Sequence, residues 1–332
     1  MLLKLYRGIG PGSIMMAVIS GFLIWLYPMI HPFSPEKLDV ANAMPLFEFF
    51  SSLLVAKAKL ATIVAFILIL LIAFYLTNFN TRLFFITERT LLPGTLYIIL
   101  SGFFVSLQGL LPVLPAALLL LMSLDRLLSA YRRSGIAYSF FDASLLLSLG
   151  SMFYFNLIWF FPVIIIGLLL LRTPSFREIA LSVFGLITPY IVTYAILYIG
   201  GKDLSSFTGL IVRNIVVESL YYYWSPLVLT LFLLGSVILL TGIIHLAGLF
   251  NKKKIRTRKI FSILIWLLIF SVGIFFLVPS ASIEIYYILL IPCVFVITHF
   301  IVFLKEKKIA NIVFAIFVLG VAAVQILRIY AV

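Results

Sequence analysis

A single cysteine, Cys293, stands among 332 residues, and charged side chains of both signs make up only 11% of the chain. One cysteine forms no intrachain disulfide, and with no CxxC or Cys/His spacing around it a metal-thiolate or redox centre is excluded. The shortage of charge excludes more. Soluble domains carry about a quarter charged residues, and so few here cannot cover a water-facing surface of this size. Also missing, in any usable context, are the GxSxG, GxxxxGK[ST], HExxH and GxGxxG motifs of the common hydrolase, nucleotide and zinc sites. No series of acidic and basic groups threads the apolar segments, which disfavours proton-coupled pumping.

What the chain has instead is apolar surface: 64% of its residues are hydrophobic and 16% aromatic. They fall in continuous runs rich in Leu, Ile and Phe, whereas barrel strands would alternate over about ten residues. The solvent for most of the chain is therefore lipid and the spans are helices. The expected fold is all-α, a polytopic transmembrane helix bundle with residues 1–332 as one integral membrane domain. Apolar stretches bounded by charge or turn residues fall at 13–30, 60–77, 93–108, 110–124, 137–153, 157–171, 179–199, 226–249, 260–278, 285–304 and 309–329, about eleven spans. Pro112, Pro115, Asn156 and Pro162 interrupt the pairs 93–124 and 137–171, so each pair reads either as a hairpin of short helices or as one long broken helix. The first span continues past signal-peptide length with no small-x-small cleavage site behind it, and is read as uncleaved.

Basic residues set the orientation. Of the 24 Lys and Arg, 18 fall in alternate connections that begin with Lys4 and Arg7, the densest being the run over 251–259. By the positive-inside rule those connections are cytoplasmic, which puts the N-terminus in and the C-terminus out. Basic residues scattered over short loops do not make a nucleic-acid face, so no nucleic-acid partner is expected. The run at 251–259 also suits anionic lipid headgroups. Within spans, Asp142 is read as a helix cap, and His245 and His299 as packing residues.

Two outer connections, 31–59 and 200–225, are longer than an ordinary loop and are where functional groups are expected. The first carries Glu36, Lys37 and Asp39, then an apolar stretch with Glu48, Lys57 and Lys59 that fits an interfacial helix. In the second, Leu204, Phe207, Leu210 and Ile215 recur at helical spacing ahead of Tyr221, Tyr222, Tyr223 and Trp224, the pattern of another interfacial helix ending in an aromatic belt. Two such helices make a cover under which a lipid-linked substrate fits. Glu36 and Asp39, three apart, share a face on a helical turn and suit a base or a divalent-metal pair. Arg213, Lys202, Lys57 and Lys59 are the cations placed to grip a lipid phosphate.

The segments Leu91-Leu92-Pro93-Gly94-Thr95, Ser123-Leu124-Asp125-Arg126, Phe141-Asp142-Ala143-Ser144 and Arg172-Thr173-Pro174-Ser175-Phe176-Arg177-Glu178 resemble an uncharacterised family of bacterial polytopic inner-membrane proteins. More distantly, the order of parts resembles the GT-C membrane glycosyltransferases: an inner N-terminus, a first span, an acidic outer loop with an interfacial helix, then short helices in the membrane. The adjacent Asp-Glu pair of some GT-C types is absent. That resemblance implies transfer of a sugar from a polyprenyl-phosphate carrier during envelope glycan assembly, with Asp39 or Glu36 as catalytic base or metal ligand. The alternatives are a non-catalytic subunit or scaffold of an envelope assembly, with protein partners, and a lipid or small-molecule transporter.

Overall fold

A computed structural model describes residues 2–32, 43–54, 57–131, 137–173, 175–201, 203–217 and 225–330. Among the described residues every regular element is helical. The α-helices are α1 (Leu2–Arg7), α2 (Pro11–Ile30), α3 (Pro45–Ser52), α4 (Ala58–Leu83), α5 (Leu92–Ser101), α6 (Val113–Ser129), α7 (Ala137–Ser151), α8 (Phe161–Leu171), α9 (Phe176–Ile199), α10 (Leu204–Val216), α11 (Pro226–Leu249), α12 (Ile255–Leu277), α13 (Tyr286–Phe303) and α14 (Lys307–Tyr330). All eleven apolar stretches fold as helices, yet only seven are long and apolar enough to cross a membrane: α2, α4, α9, α11, α12, α13 and α14. The helices α5 to α8 run 10, 17, 15 and 11 residues, short of the roughly 20 that a lone crossing needs. Helix length thus supports seven candidate spans in place of the expected eleven.

The short helices form two hairpins, which settles the hairpin-or-broken-helix alternative. Gly94 at the start of α5 lies so close to α4 that an added Cβ would stand 2.4 Å from the Ala73 carbonyl oxygen. Asp125 near the end of α6 accepts a hydrogen bond of 2.9 Å from the Tyr75 hydroxyl. A continuous helix would separate positions 94 and 125 by about 46 Å, so the chain has reversed and returned to the same depth. In the second pair, Ser123 of α6 donates to the Ala143 carbonyl of α7 at 2.6 Å, and Gly167 of α8 faces Leu127 of the same helix, where an added Cβ would lie 2.5 Å from Cδ2.

Each hairpin leaves the face it started from and comes back to it, so counting it as two crossings or none does not alter parity. The chain ends accordingly lie at opposite ends of the bundle: the Leu3 N–H donates to Asn311 at the start of α14, while Arg328 at its far end stacks on Tyr27 near the end of α2. The face carrying Leu3 is the basic one. There Arg7 pairs with Glu88, Arg82 with Asp125 and Arg172 with Glu178 at 3.0 Å, while Lys259 donates to the Leu171 carbonyl at 3.2 Å. Glu178 also closes a capping box with Ser175 that starts α9, satisfying two orphan backbone donors at once.

The most extensive helix pairing among the described residues is α7 with α9. Ser144 stands against Gly185, the Ser148 hydroxyl donates to the Leu186 carbonyl at 2.6 Å, and the Ser151 and Tyr190 hydroxyls share a hydrogen bond of 2.8 Å. Between helices surrounded by lipid, such small residues let backbones approach and gain dispersion contact that lipid chains would otherwise supply. Asp142 lies in the second turn of α7, beyond the capping position, so the cap expected of it is not made.

Candidate functional site

At both hairpin tips the α-helix gives way to short 3-10 segments, Val105–Leu107 and Phe155–Phe160, and irregular backbone, which within lipid is tolerated only where its polar groups find partners in the protein. The first tip, residues 102–112, is sealed by side chains of α13 and α14 and by a carbonyl of α2. Gln325 of α14 donates to the Gly102 carbonyl at 2.6 Å, Tyr287 of α13 to the Leu107 carbonyl at 2.9 Å, and Tyr286 to the Leu100 carbonyl at 3.1 Å. Gln108, within the tip, reaches out to the Ile24 carbonyl of α2 at 3.2 Å. Its own oxygen accepts from Gln325 at 3.2 Å and from Arg328 at 2.9 Å. The Arg328 guanidinium lies 4.5 Å from the centre of the Tyr27 ring. Gln108 and Gln325 are the only two glutamines in the sequence, and they meet here.

The second tip, residues 152–160, is sealed differently. Asn156 clamps the α12–α13 connection, donating to the Ser280 carbonyl at 3.1 Å and accepting from the Ser280 hydroxyl at 3.0 Å. Above it the helices of the two long connections converge. Leu46 of α3 donates its N–H to the Met152 carbonyl at 3.1 Å, and Phe50 packs edge-on against Phe153. On α10 the Phe207 ring is 3% exposed and sits 4.9 Å from the Tyr194 ring. Met44, Met152, Phe155 and Phe207 form one buried cluster. Asn214 donates to the Met44 sulfur at 3.9 Å, which ties the two connections directly to each other. Both amphipathic helices read from the sequence are thus present, and they meet in one cover. Its apolar underside is spent on the hairpin tip rather than on lipid alone.

The residues singled out from the sequence divide into two groups. Glu36, Asp39 and Lys202 lie outside the described residues, as do Tyr221, Tyr222, Tyr223 and Trp224. Arg213 is exposed in the last turn of α10, next to Asn214; Lys57 and Lys59 are exposed at the start of α4. The structure joins the Arg213 end of α10 to Met44, five residues beyond Asp39, and shows no such link from α10 to the two lysines. Asp203 caps α10 by accepting from the Ser205 N–H at 2.9 Å, and the Ser205 hydrogen bonds hold its carboxyl below the ordinary aspartate value. Among the described residues no three of His, Cys, Asp and Glu stand close enough to hold a metal ion.

Two groups escaped the sequence reading. The polar seal of the first tip is one, and its signal was available as lone glutamines inside apolar runs. The other is the meeting of His245 with His299, each read singly as a packing residue, whose ring centres lie 6.0 Å apart; neither His299 nitrogen is hydrogen-bonded to a described residue. Phe261, Phe300 and Phe303 surround this pair, in keeping with packing residues. At the head of the basic run, Lys253 lies half-buried over the Phe303 ring at 4.2 Å, and burial pushes its ammonium below the ordinary lysine value. No protein-family model, curated protein or solved structure matches the chain.

Proposed function

We propose that the chain is a GT-C-like membrane glycosyltransferase that moves a sugar from a polyprenyl-phosphate carrier onto an envelope acceptor. Asp39, with Glu36 second, activates the acceptor hydroxyl or holds a divalent metal, and Arg213 leads Lys202, Lys57 and Lys59 in gripping the lipid phosphate. The observation that supports this reading is the tether on the acidic segment. Met44, five residues after Asp39 in the chain, is 1% exposed and held between the second hairpin tip and α10, so the described chain that follows the acidic segment is anchored beside the helix that carries Arg213. A base and a phosphate-binding cation drawn from the two longest connections suit a substrate lying at the membrane surface.

The orientation that goes with it has the N-terminus in the cytoplasm and the cover on the outer surface of a bacterial inner membrane. The gathering of basic side chains on the face opposite the cover supports that placement. A reporter fused at Thr257 is expected to read cytoplasmic and one at Ser206 external; an external signal at Thr257 reverses the assignment. The chemistry is tested by complementing the glycan defect of a deletion strain with Asp39→Asn, Glu36→Gln and the double variant at matched expression. Loss of a general base lowers the rate by about 100-fold to 10,000-fold, so the double variant is expected to fail. Full rescue by it would overturn the enzyme reading and leave a scaffold of an envelope assembly.

A further inference from the structure

A cleft of about 530 Å³, counting the space where it opens to its surroundings, runs between α11, α13, α14 and the end of α5. Its walls are apolar, with Phe103 and Phe232 at one end and Leu239 and Ile297 at the other. A second, smaller cavity continues it along α14 past Phe317, Gly320 and Val321. From Tyr286 to Ile297 the groove follows α13 for eleven helical steps, about 16 Å, close to the roughly 15 Å of one bilayer leaflet. Helix α11, which forms the outer wall, is mostly exposed to the surroundings along its length. The shape is that of a slot for a single hydrocarbon chain.

Charge stands at one end of it. At 3.6 residues per turn, Phe317, Val321, Val324 and Arg328 fall on one stripe of α14 about 60° wide, so Arg328 follows the groove-lining positions on the same side of the helix, about two turns beyond Val321. Gly102 links the two parts. An added Cβ there would lie 3.4 Å from both Val321, in the groove wall, and the Gln108 amide nitrogen, and Gln108 holds the Arg328 guanidinium at 2.9 Å. That hydrogen bond and the stack on Tyr27 fix the orientation of the guanidinium, and a planar fork of donors matches a phosphate better than a flexible ammonium does.

We propose that this groove holds one acyl chain of an anionic phospholipid from the leaflet at the Tyr27 end, with the lipid phosphate bound by Arg328. The site goes beyond the transfer reaction proposed above and stands whether or not the chain is an enzyme. A purely anchoring arginine reaching toward the interface would show no preference for headgroup and no dependence on the groove.

The test is native mass spectrometry of the full chain, delipidated in detergent and then offered phosphatidylglycerol or phosphatidylcholine. One phosphatidylglycerol per chain is expected to be retained in preference to phosphatidylcholine, with at least tenfold less retained by Arg328→Gln. Gly235→Leu is expected to lower retention to the same extent with Arg328 intact, because a Cβ at Gly235 meets Phe317 at an ordinary 3.6 Å and the added side chain fills the groove. Should Arg328→Gln not fold, Arg328→Lys keeps the charge without the fork and is expected to retain an intermediate amount. Equal retention of the two lipids, or undiminished phosphatidylglycerol on Gly235→Leu, would overturn the proposal.

Discussion

The hairpins α5–α6 and α7–α8 pose one physical problem, a reversal of the chain among apolar helices, and answer it in two ways. At the first tip, carbonyls released by the break are met from the side: Tyr286, Tyr287 and Gln325 each donate to one, and the cluster ends in a charged residue, Arg328. At the second, Asn156 and Ser280 satisfy each other, and two amphipathic helices close over the top through Met44, Met152 and Phe207. A polar seal demands every partner at once, since an unmet buried group costs its full desolvation. An apolar cover breaks few polar contacts when it lifts, here the hydrogen bond from the Leu46 N–H to the Met152 carbonyl and that from Asn214 to the Met44 sulfur. The first tip is therefore the one expected to be rigid, and the second the one able to open.

The largest expected effect tests what the hairpins share. Gly94→Leu and Gly185→Leu each place a Cβ 2.4 Å from a backbone oxygen, of Ala73 and of Phe141. Backbone cannot yield as a flexible side chain does, so each should cost about 3 kcal/mol or more, read as loss of monodisperse protein or a large drop in Tm. A tolerated Gly94→Leu would show the first hairpin to be loosely held and break the comparison. Next comes Gln108→Leu, which strands the Ile24 carbonyl and removes the acceptor of Gln325 and Arg328. Roughly 2 kcal/mol of global stability should be lost, measurable by denaturant or thermal unfolding in detergent.

Phe207→Ala should act locally instead. Removing a buried ring costs about 3 kcal/mol, or on the order of a hundredfold in an opening equilibrium. Hydrogen exchange over 204–216 should quicken by that factor while the Tm of the bundle stays put; a fall in Tm matching that of Gln108→Leu would mean that cover and bundle unfold together. The smallest effect is the pH dependence of the α10 cap. The Asp203 carboxyl is lowered in the folded chain from its ordinary 3.8, so its contribution is complete above that value and is lost as pH falls through the lower folded one. Spin-label mobility at Ser206 should rise only at strongly acidic pH, and Asp203→Asn should abolish that transition.

Much of this architecture is legible in the residues. Leu204, Phe207 and Leu210 at helical spacing announce α10, and Pro112, Pro115 and Pro162 mark where the short helices break. The choice between a hairpin and a broken helix was not legible, because proline and glycine record a break without its direction. That Phe207 faces Met44 and Met152 rather than lipid was equally hidden, since amphipathic periodicity shows which face is apolar and is silent on what covers it. Nothing in the sequence sets Arg328 apart among the six basic residues outside the inner connections; its link to the groove wall runs through Gly102 and Gln108, more than two hundred residues away in the chain.

By itself, then, the sequence determined the solvent, the helical secondary structure and the alternation of basic and poor connections, because these follow from composition and local periodicity. Only the tertiary structure decided which helices pair at the tips, where the two glutamines meet, and that an apolar slot lies beneath an arginine. In a chain made so largely of Leu, Ile and Phe, apolar side chains are nearly interchangeable as packing partners. The specificity resides in a few small and polar residues whose partners are far away in sequence, and their meeting is a property of the whole bundle.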